Sequence, residues 1–264
     1  MIWFAVVAFL MIGCGDNTTI ETYKVSGHGI EVTASSRLAG AIESVKWNGV
    51  EFLVAQDHGR GMQSAASFNY HGEVYNPTEA GSSADGTGLS SSSILIGVKV
   101  GEALETHTQM AYWIPVGDKV LSDHILSKRL QMVAPNVIQY DVQFYVPRDY
   151  EHGQIEVLTG YMPPSFNQFM SVDGQPISKG PGEQPLPLIF SDGVNAMGIY
   201  SPGIENYCRH DYGETMKWNA VYRQDNIKAG YYAFRCFVIV GGIGTVKQKM
   251  IELLQNTEKN KKGF

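Results

Sequence analysis

The sequence predicts an all-β protein, a large antiparallel β-sandwich closed by one C-terminal helix. Three observations predict it. Extended runs with period-two alternation recur along the chain. Glycine and tyrosine are abundant, at 29 and 14 residues, as a turn-rich β protein requires. Helical periodicity is convincing in one place only, near the C-terminus.

Taken in order, the strand signals begin with "GIEVTASS" and "GAIESVKW". Asn48-Gly49 then separates "VKW" from "VEFLV", a hairpin signal because both turn residues accept positive φ. Further runs are "SILIGVKV", "ALETHTQMAYWI", "VIQYDVQFYV", "GQIEVLTGY", "NAMGIY", "KWNAVYR" and "YYAFRCFVIVGG". The helix is read in "TVKQKMIELLQN", where Val246, Met250, Leu253 and Leu254 build one apolar stripe and Thr245 is placed as the cap. Two connections stand out. "GSSADGTGLSSSS" (81–93) reads as a mobile surface loop, and "DGQPISKGPGEQPLP" (173–187) as a long Pro/Gly connection. Strand patterns of one style continue on both sides of each, so the expectation is one domain over 28–256 with a frayed tail at 257–264.

The front of the chain carries an address. Residues 1–13, "MIWFAVVAFLMIG", are apolar throughout, too short to span a bilayer and suited to a signal peptide. Met11-Ile12-Gly13-Cys14 resembles a bacterial lipobox, which implies cleavage before Cys14, lipidation of its sulfur and a polar tether over 14–27. The expected location is therefore the cell envelope, periplasm or outer membrane. Removing 13 of 264 residues leaves 251, enough for a sizeable core. Hydrophobic residues are 44% and charged ones 17%, which excludes gross disorder. The net charge of −6 and the scattered basic residues exclude a nucleic-acid footprint. With Cys14 lipidated, Cys208 and Cys236 remain, read either as an extracytoplasmic disulfide or as two buried thiols.

Strand alternation sorts the candidate site residues. In "ALETHTQMAYWI", Leu104, Thr106, Thr108, Met110, Tyr112 and Ile114 form one face, and Glu105, His107, Gln109 and Trp113 the other. That second face offers a carboxylate, a proton shuttle, an amide and a flat ring, the set that sugar hydroxyls and C–H faces need. In "VIQYDVQFYV" the same division puts Gln139, Asp141, Gln143 and Tyr145 on the polar face. A solvated outer sheet is the competing reading of each strand.

The stretch from Asp57 to Gly81 concentrates His58, Arg60, Tyr70, His71, Tyr75, Asn76 and Glu79. Arg60, between two glycines, suits two-point capture of a carboxylate, and His58 suits acid–base work. An internal ion pair of Asp57 with Arg60 is the competing reading. Asn76-Pro77-Thr78-Glu79 reads as a turn or as a capped helix start. The catalytic candidates are thus His58, Arg60, Tyr70, Glu79 and His107. The substrate-binding candidates are Asn76, Glu105, Gln109, Trp113, Tyr161, His210, Trp218 and Arg223. The last three lie in "YCRHDYGETMKWNAVYR" (207–223), expected to form a rim opposite the 57–81 loop. None of the seven histidines has metal-ligand spacing, so no metal and no cofactor is expected.

"LAGAIESVKWNGVEFL" (38–53) is similar to the opening of galactose mutarotase-like domains. The resemblance implies a β-supersandwich of about this length whose concave sheet binds sugars. That fold recurs in sugar epimerases, polysaccharide lyases and glycosidase accessory domains. It implies a saccharide partner and leaves the chemistry open. A lyase, epimerase or hydrolase, a non-catalytic saccharide-binding lipoprotein, and a structural envelope protein remain as competing functions.

Overall fold

The computed structural model describes residues 19–58, 61–70 and 72–262, with side chains through Thr257. The chain opens with β1 (Thr22–Gly27) and β2 (Ile30–Ser35), joined at His28-Gly29 with φ of 53° and 76°. β3 (Ile42–Trp47) and β4 (Val50–Glu51) turn at Asn48-Gly49, φ 48° and 84°, the conformation that this dipeptide favours. Then come β5 (Met62–Phe68), the short β6 (Pro77–Thr78) and the edge strand β7 (Ile94–Val100). Four long strands follow: β8 (Leu104–Val116), β9 (Lys119–Ala134), β10 (Val137–Val146) and β11 (Tyr150–Met162). The short β12 (Gln168–Ser171), β13 (Gly182–Gln184), β14 (Leu188–Ser191), β15 (Asn195–Tyr200) and β16 (Asn206–Asp211) come next. The chain closes with β17 (Met216–Ile227), β18 (Gly230–Gly242) and the helix α1 (Ile243–Lys262).

All pairings between these strands are antiparallel, and they form two branches. One runs β1-β2-β3-β5-β11-β17-β16-β13; the other runs β7-β8-β9-β10-β18-β15-β14-β12. β6 joins them by pairing with both β5 and β8. Val32, Ile42 and Ile155 from the first branch share one core with Leu104, Leu126, Ile138 and Phe144 from the second. The two branches are therefore the layers of a sandwich that bury their apolar faces against each other.

The helix packs on the other side of the second layer. Val246 and Met250 are fully buried, with Leu253 and Leu254 beside them, against Val137, Ile189, Ala196, Tyr200 and Ile239. This is the stripe read from the sequence. Gly198 of β15 admits it, since a Cβ there would lie 2.9 Å from Met250 and Val246. β18 runs straight into α1, which makes Thr245 the third helical residue and not the cap.

Other expectations are corrected. The segment assigned to a tether contains β1, whose Tyr23 and Val25 point into the core. The tail expected to fray continues the helix to Lys262. The serine loop is a tied structure. Asp85 accepts from Ser82 N and Ser92 N at 2.8 Å each, and the Ser93 hydroxyl donates to Thr78 O at 2.9 Å. Pro77 and Thr78 form a strand, so Asn76 caps no helix. The signal-peptide residues, Cys14, Arg60 and His71 lie outside the described residues.

Candidate functional site

The open face of the second layer carries a polar array that spans five strands. β8, β9, β10 and β18 each present every second residue to that face, and the register aligns those residues in rows. One row is Lys99–Glu105–Arg129–Asp141–Arg235, each residue the cross-strand partner of the next. Its charges alternate from β7 to β18. Arg129 Nε lies 3.3 Å from Glu105 Oε1, and Lys99 Nζ 3.8 Å from Glu105 Oε2. Arg235 grips Asp141 with two nitrogens, at 2.6 and 3.0 Å, and this hydrogen bonding raises the proton affinity of the guanidinium. Gln139 donates a further bond to Asp141 at 2.7 Å.

The adjacent row is Gly97–His107–Ser127–Gln143–Ala233. His107 is exposed, and its Nδ1 lies 2.8 Å from Ser127 Oγ, which fixes the ring. One row further, Tyr145 meets Tyr231 with ring centroids 5.2 Å apart. The charged row and the His107 row floor a hollow of about 1210 Å³, bounded by Glu21 and Tyr23 on the β1 side and by Leu95, Ile96 and Val98 of β7. The floor is charged and amide-rich, and the β7 wall is apolar: Ile96 and Val98 stay 44% and 38% exposed.

Of the residues predicted from β8, Glu105 and His107 lie in this hollow. Gln109 turns its amide to Ser122 O at 2.9 Å. Trp113 falls beyond a register shift between Gln109 and Ala111, where the alternation breaks and Met110, Ala111 and Tyr112 are all buried. Its backbone accepts from Ser82 and Ser83, and its ring does not line the hollow.

In the stretch from Asp57 to Gly81, His58 and Glu79 are internal fastenings. His58 is 1% exposed, with Nδ1 3.1 Å from Gly86 O and Nε2 3.0 Å from Arg37 O. Both ring nitrogens are occupied, so no atom is left for a substrate. Glu79 is completely buried. It pairs with the equally buried Lys128 and accepts from Ser64 N at 3.0 Å, with the Tyr140 hydroxyl at 3.5 Å. Lys128 also donates to Gly40 O at 2.5 Å. Burial pulls the Lys128 ammonium down in proton affinity, against the opposing pull of Glu79. Burial, then Glu79, pushes the Tyr140 hydroxyl well above its usual range. Tyr70 is 80% exposed and leans on His152, their centroids 4.3 Å apart. Asn76 uses its carbonyl to accept from Trp113 N at 2.7 Å. Its buried Oδ1 has no partner among the described residues.

The later candidates lie on the other layer. Tyr161, Lys217 and His210 form a cross-strand row over β11, β17 and β16. Lys217 Nζ stands 5.5 Å over the Tyr161 ring and 3.8 Å from Glu156, and His210 packs on Tyr212 with centroids 3.9 Å apart. Burial alone would weaken the Lys217 charge, but Glu156 and the two tyrosines outweigh it and raise the amine's proton affinity. Tyr161 N donates to Gly61 O at 3.1 Å, which sets Gly61 beside this row. Arg223 is held by Glu183 and by Gln154 Oε1 at 2.8 Å. Trp218 is no stacking platform: it is fully buried over Gly160, where a Cβ would come within 2.3 Å of the indole. Cys208 and Cys236 are free thiols, so the disulfide alternative is overturned. Burial pushes each thiol up to about 12.

Ser127, Arg129 and Arg235 are the site residues that sequence reasoning missed. β9 puts His124 and Lys128 on its inner face, which disguises the apolar alternation that would have exposed Ser127 and Arg129 as partners of β8. Among the described residues, no group of three or more His, Cys, Asp or Glu could hold a metal ion.

No protein family's sequence model matches the chain, and no curated protein matches it. The fold has clear counterparts among solved structures. A candidate aldose 1-epimerase from Escherichia coli K12 superposes with a TM-score of 0.56 and 9% identity, over 85% of this chain and 100% of its own. A galactose mutarotase related enzyme from Lactobacillus acidophilus gives 0.52 and 8%, over 84% and 97%. An aldose epimerase homologue from C. elegans gives 0.50 and 8%, over 85% and 100%. At such identities the likeness establishes the galactose mutarotase-like fold.

Proposed function

We propose that the protein binds a saccharide in the hollow floored by β8, β9, β10 and β18. The observation that carries this reading is the pair of adjacent rows there, one of alternating charge and one of His107, Ser127 and Gln143. Sugar hydroxyls need donors and acceptors at fixed spacing, and a sheet face supplies both at strand intervals of about 4.8 Å. β7 offers an apolar wall, and Tyr145 and Tyr231, one row beyond the lining, offer ring faces to a longer saccharide. The sugar-processing names of proteins sharing this fold support the same substrate class.

A second reading adds a proton transfer at the bound sugar, with His107 as the acid–base group. Its support is the Ser127 contact, which occupies Nδ1 and leaves Nε2 as the working nitrogen. Against it, both carboxylates of the floor are engaged by cations. We further propose that the protein is lipid-anchored in the cell envelope, supported by the apolar run 1–13 and by Gly13-Cys14.

The test is a calorimetric screen of mono- and oligosaccharides against the protein and its His107→Ala variant. Anomer exchange by NMR and ultraviolet absorbance from unsaturated products are followed in parallel. Binding lost in the variant supports the site. Anomer exchange or absorbance lost with it supports proton transfer as well. A protein that binds no saccharide in the screen contradicts the proposal.

A further inference from the structure

Arg129 stands apart from the other cations of the charged row. Arg235 spends two nitrogens on Asp141. Lys128, on the inner face of the same strand, is sealed against Glu79. Arg129 meets Glu105 through Nε alone, at 3.3 Å, and its side chain stays 43% exposed. Its two terminal nitrogens have no hydrogen-bond partner among the described residues. A guanidinium held by Nε presents Nη1 and Nη2 as a fork, the geometry that meets both oxygens of a carboxylate. Lys99, 77% exposed at the β7 end of the row, adds a second cation on the far side of Glu105. Around the hollow Lys99, Arg129 and Arg235 face Glu21, Glu105 and Asp141, so the charges balance and what distinguishes Arg129 is its free fork and not a net field.

From this we infer that the saccharide taken by the hollow is acidic, a sugar bearing a carboxylate, and that Arg129 is the residue that selects it. The inference rests on the saccharide reading of the same hollow. Ser127 lies two residues before Arg129 on the same face of β9, about 6.6 Å along the strand, and carries His107 on its hydroxyl. A carboxylate seated on Arg129 thus places the rest of the sugar over Ser127, His107 and Gln143. A neutral sugar meets the fork with single hydroxyl oxygens, without the two-point charge-assisted pairing that a carboxylate makes.

The experiment compares a uronate oligosaccharide with its carboxyl-reduced counterpart by isothermal titration calorimetry, at low and raised salt. Wild-type protein is expected to prefer the uronate by about tenfold or more, with the preference shrinking as salt rises. Arg129→Gln is expected to remove that preference, weakening the uronate by about tenfold more than it weakens the neutral counterpart. Arg129→Lys, which keeps the charge and loses the fork, is expected to retain only part of it. Thermal unfolding of each variant confirms that the fold is kept, since Arg129 lies on the outer face. Equal affinity of the wild type for both sugars overturns the inference and leaves the saccharide site standing. A preference that survives in Arg129→Gln also overturns it. Failure of both sugars, with every other saccharide failing too, overturns the saccharide reading and this inference with it.

Discussion

Removing the Lys128 ammonium should destabilise the protein by about 3–5 kcal/mol, because it strands a buried carboxylate. Glu79 and Lys128 have completely buried side chains and are each other's counter-ion. Without the lysine, Glu79 keeps, among the described residues, the Ser64 amide and the Tyr140 hydroxyl, and Gly40 O loses the lysine's donation. Domains of this kind unfold at about 5–15 kcal/mol, so Lys128→Met alone takes about a fifth or more of that margin. Pairing it with Glu79→Leu removes both charges and should recover most of the loss, to within about 1–2 kcal/mol of wild type, limited by packing and by the bond lost at the Gly40 carbonyl. Urea unfolding followed by tryptophan fluorescence reads the difference, with the buried Trp218 as reporter. A single variant that loses less than about 1 kcal/mol would refute the reasoning. So would a double variant less stable than the single. Either result would also reopen Glu79 as a functional carboxylate.

Burial pulls His124 down to about 3 from an unfolded value of about 6.5, so the native state prefers it neutral. Its stabilising contribution is present above pH 6.5 and falls away toward pH 3 at up to about 1.4 kcal/mol per unit; unfolding midpoints across that range should flatten in His124→Phe. Both thiols should be found reduced by mass spectrometry of unreduced protein, and Cys236 should resist a thiol reagent until the chain is unfolded; a native protein lacking free thiols would contradict this. Gly160→Ala should drive a methyl into the Trp218 indole and cost about 1–3 kcal/mol or more, whereas Gly49→Ala, whose Cβ meets nothing within 4 Å, should show only the penalty of its positive φ. Comparable losses at the two positions would count against the packing described.

Much of the architecture was legible because one face of each strand had to be apolar. "VIQYDVQFYV" divides cleanly, and from Ile138 onward its burial alternates as read, Val137 being buried on the opposite face under the helix. Asn48-Gly49 and the 246–254 stripe were legible for the same local reason, since each is a pattern of a few residues with one good conformation. Glu105 and His107 follow from alternation in β8, up to the register shift that displaces Trp113. What escaped was set by partners distant in sequence. Glu79 is structural only because Lys128 lies opposite it, 49 residues on. His58 is occupied by carbonyls of Arg37 and Gly86, and Trp218 is buried because Gly160 makes room for it. A concentration of histidine, glutamate and tyrosine in 57–81 looked like chemistry, yet a core that accepts polar residues uses them as internal fastenings. Ser127 and Arg129 went unread for the converse reason, since the inner face of β9 breaks the apolar rule.

Whether a sugar sits on the His107 face is tested most directly by imidazole NMR of the 15N-labelled protein. As a bound saccharide is titrated in, the ring signals of His107 should move saturably, while those of buried His58 and His124 stay in place. A sugar that binds and leaves His107 unmoved, or moves His210 on the opposite layer in its stead, would contradict the assignment of the site.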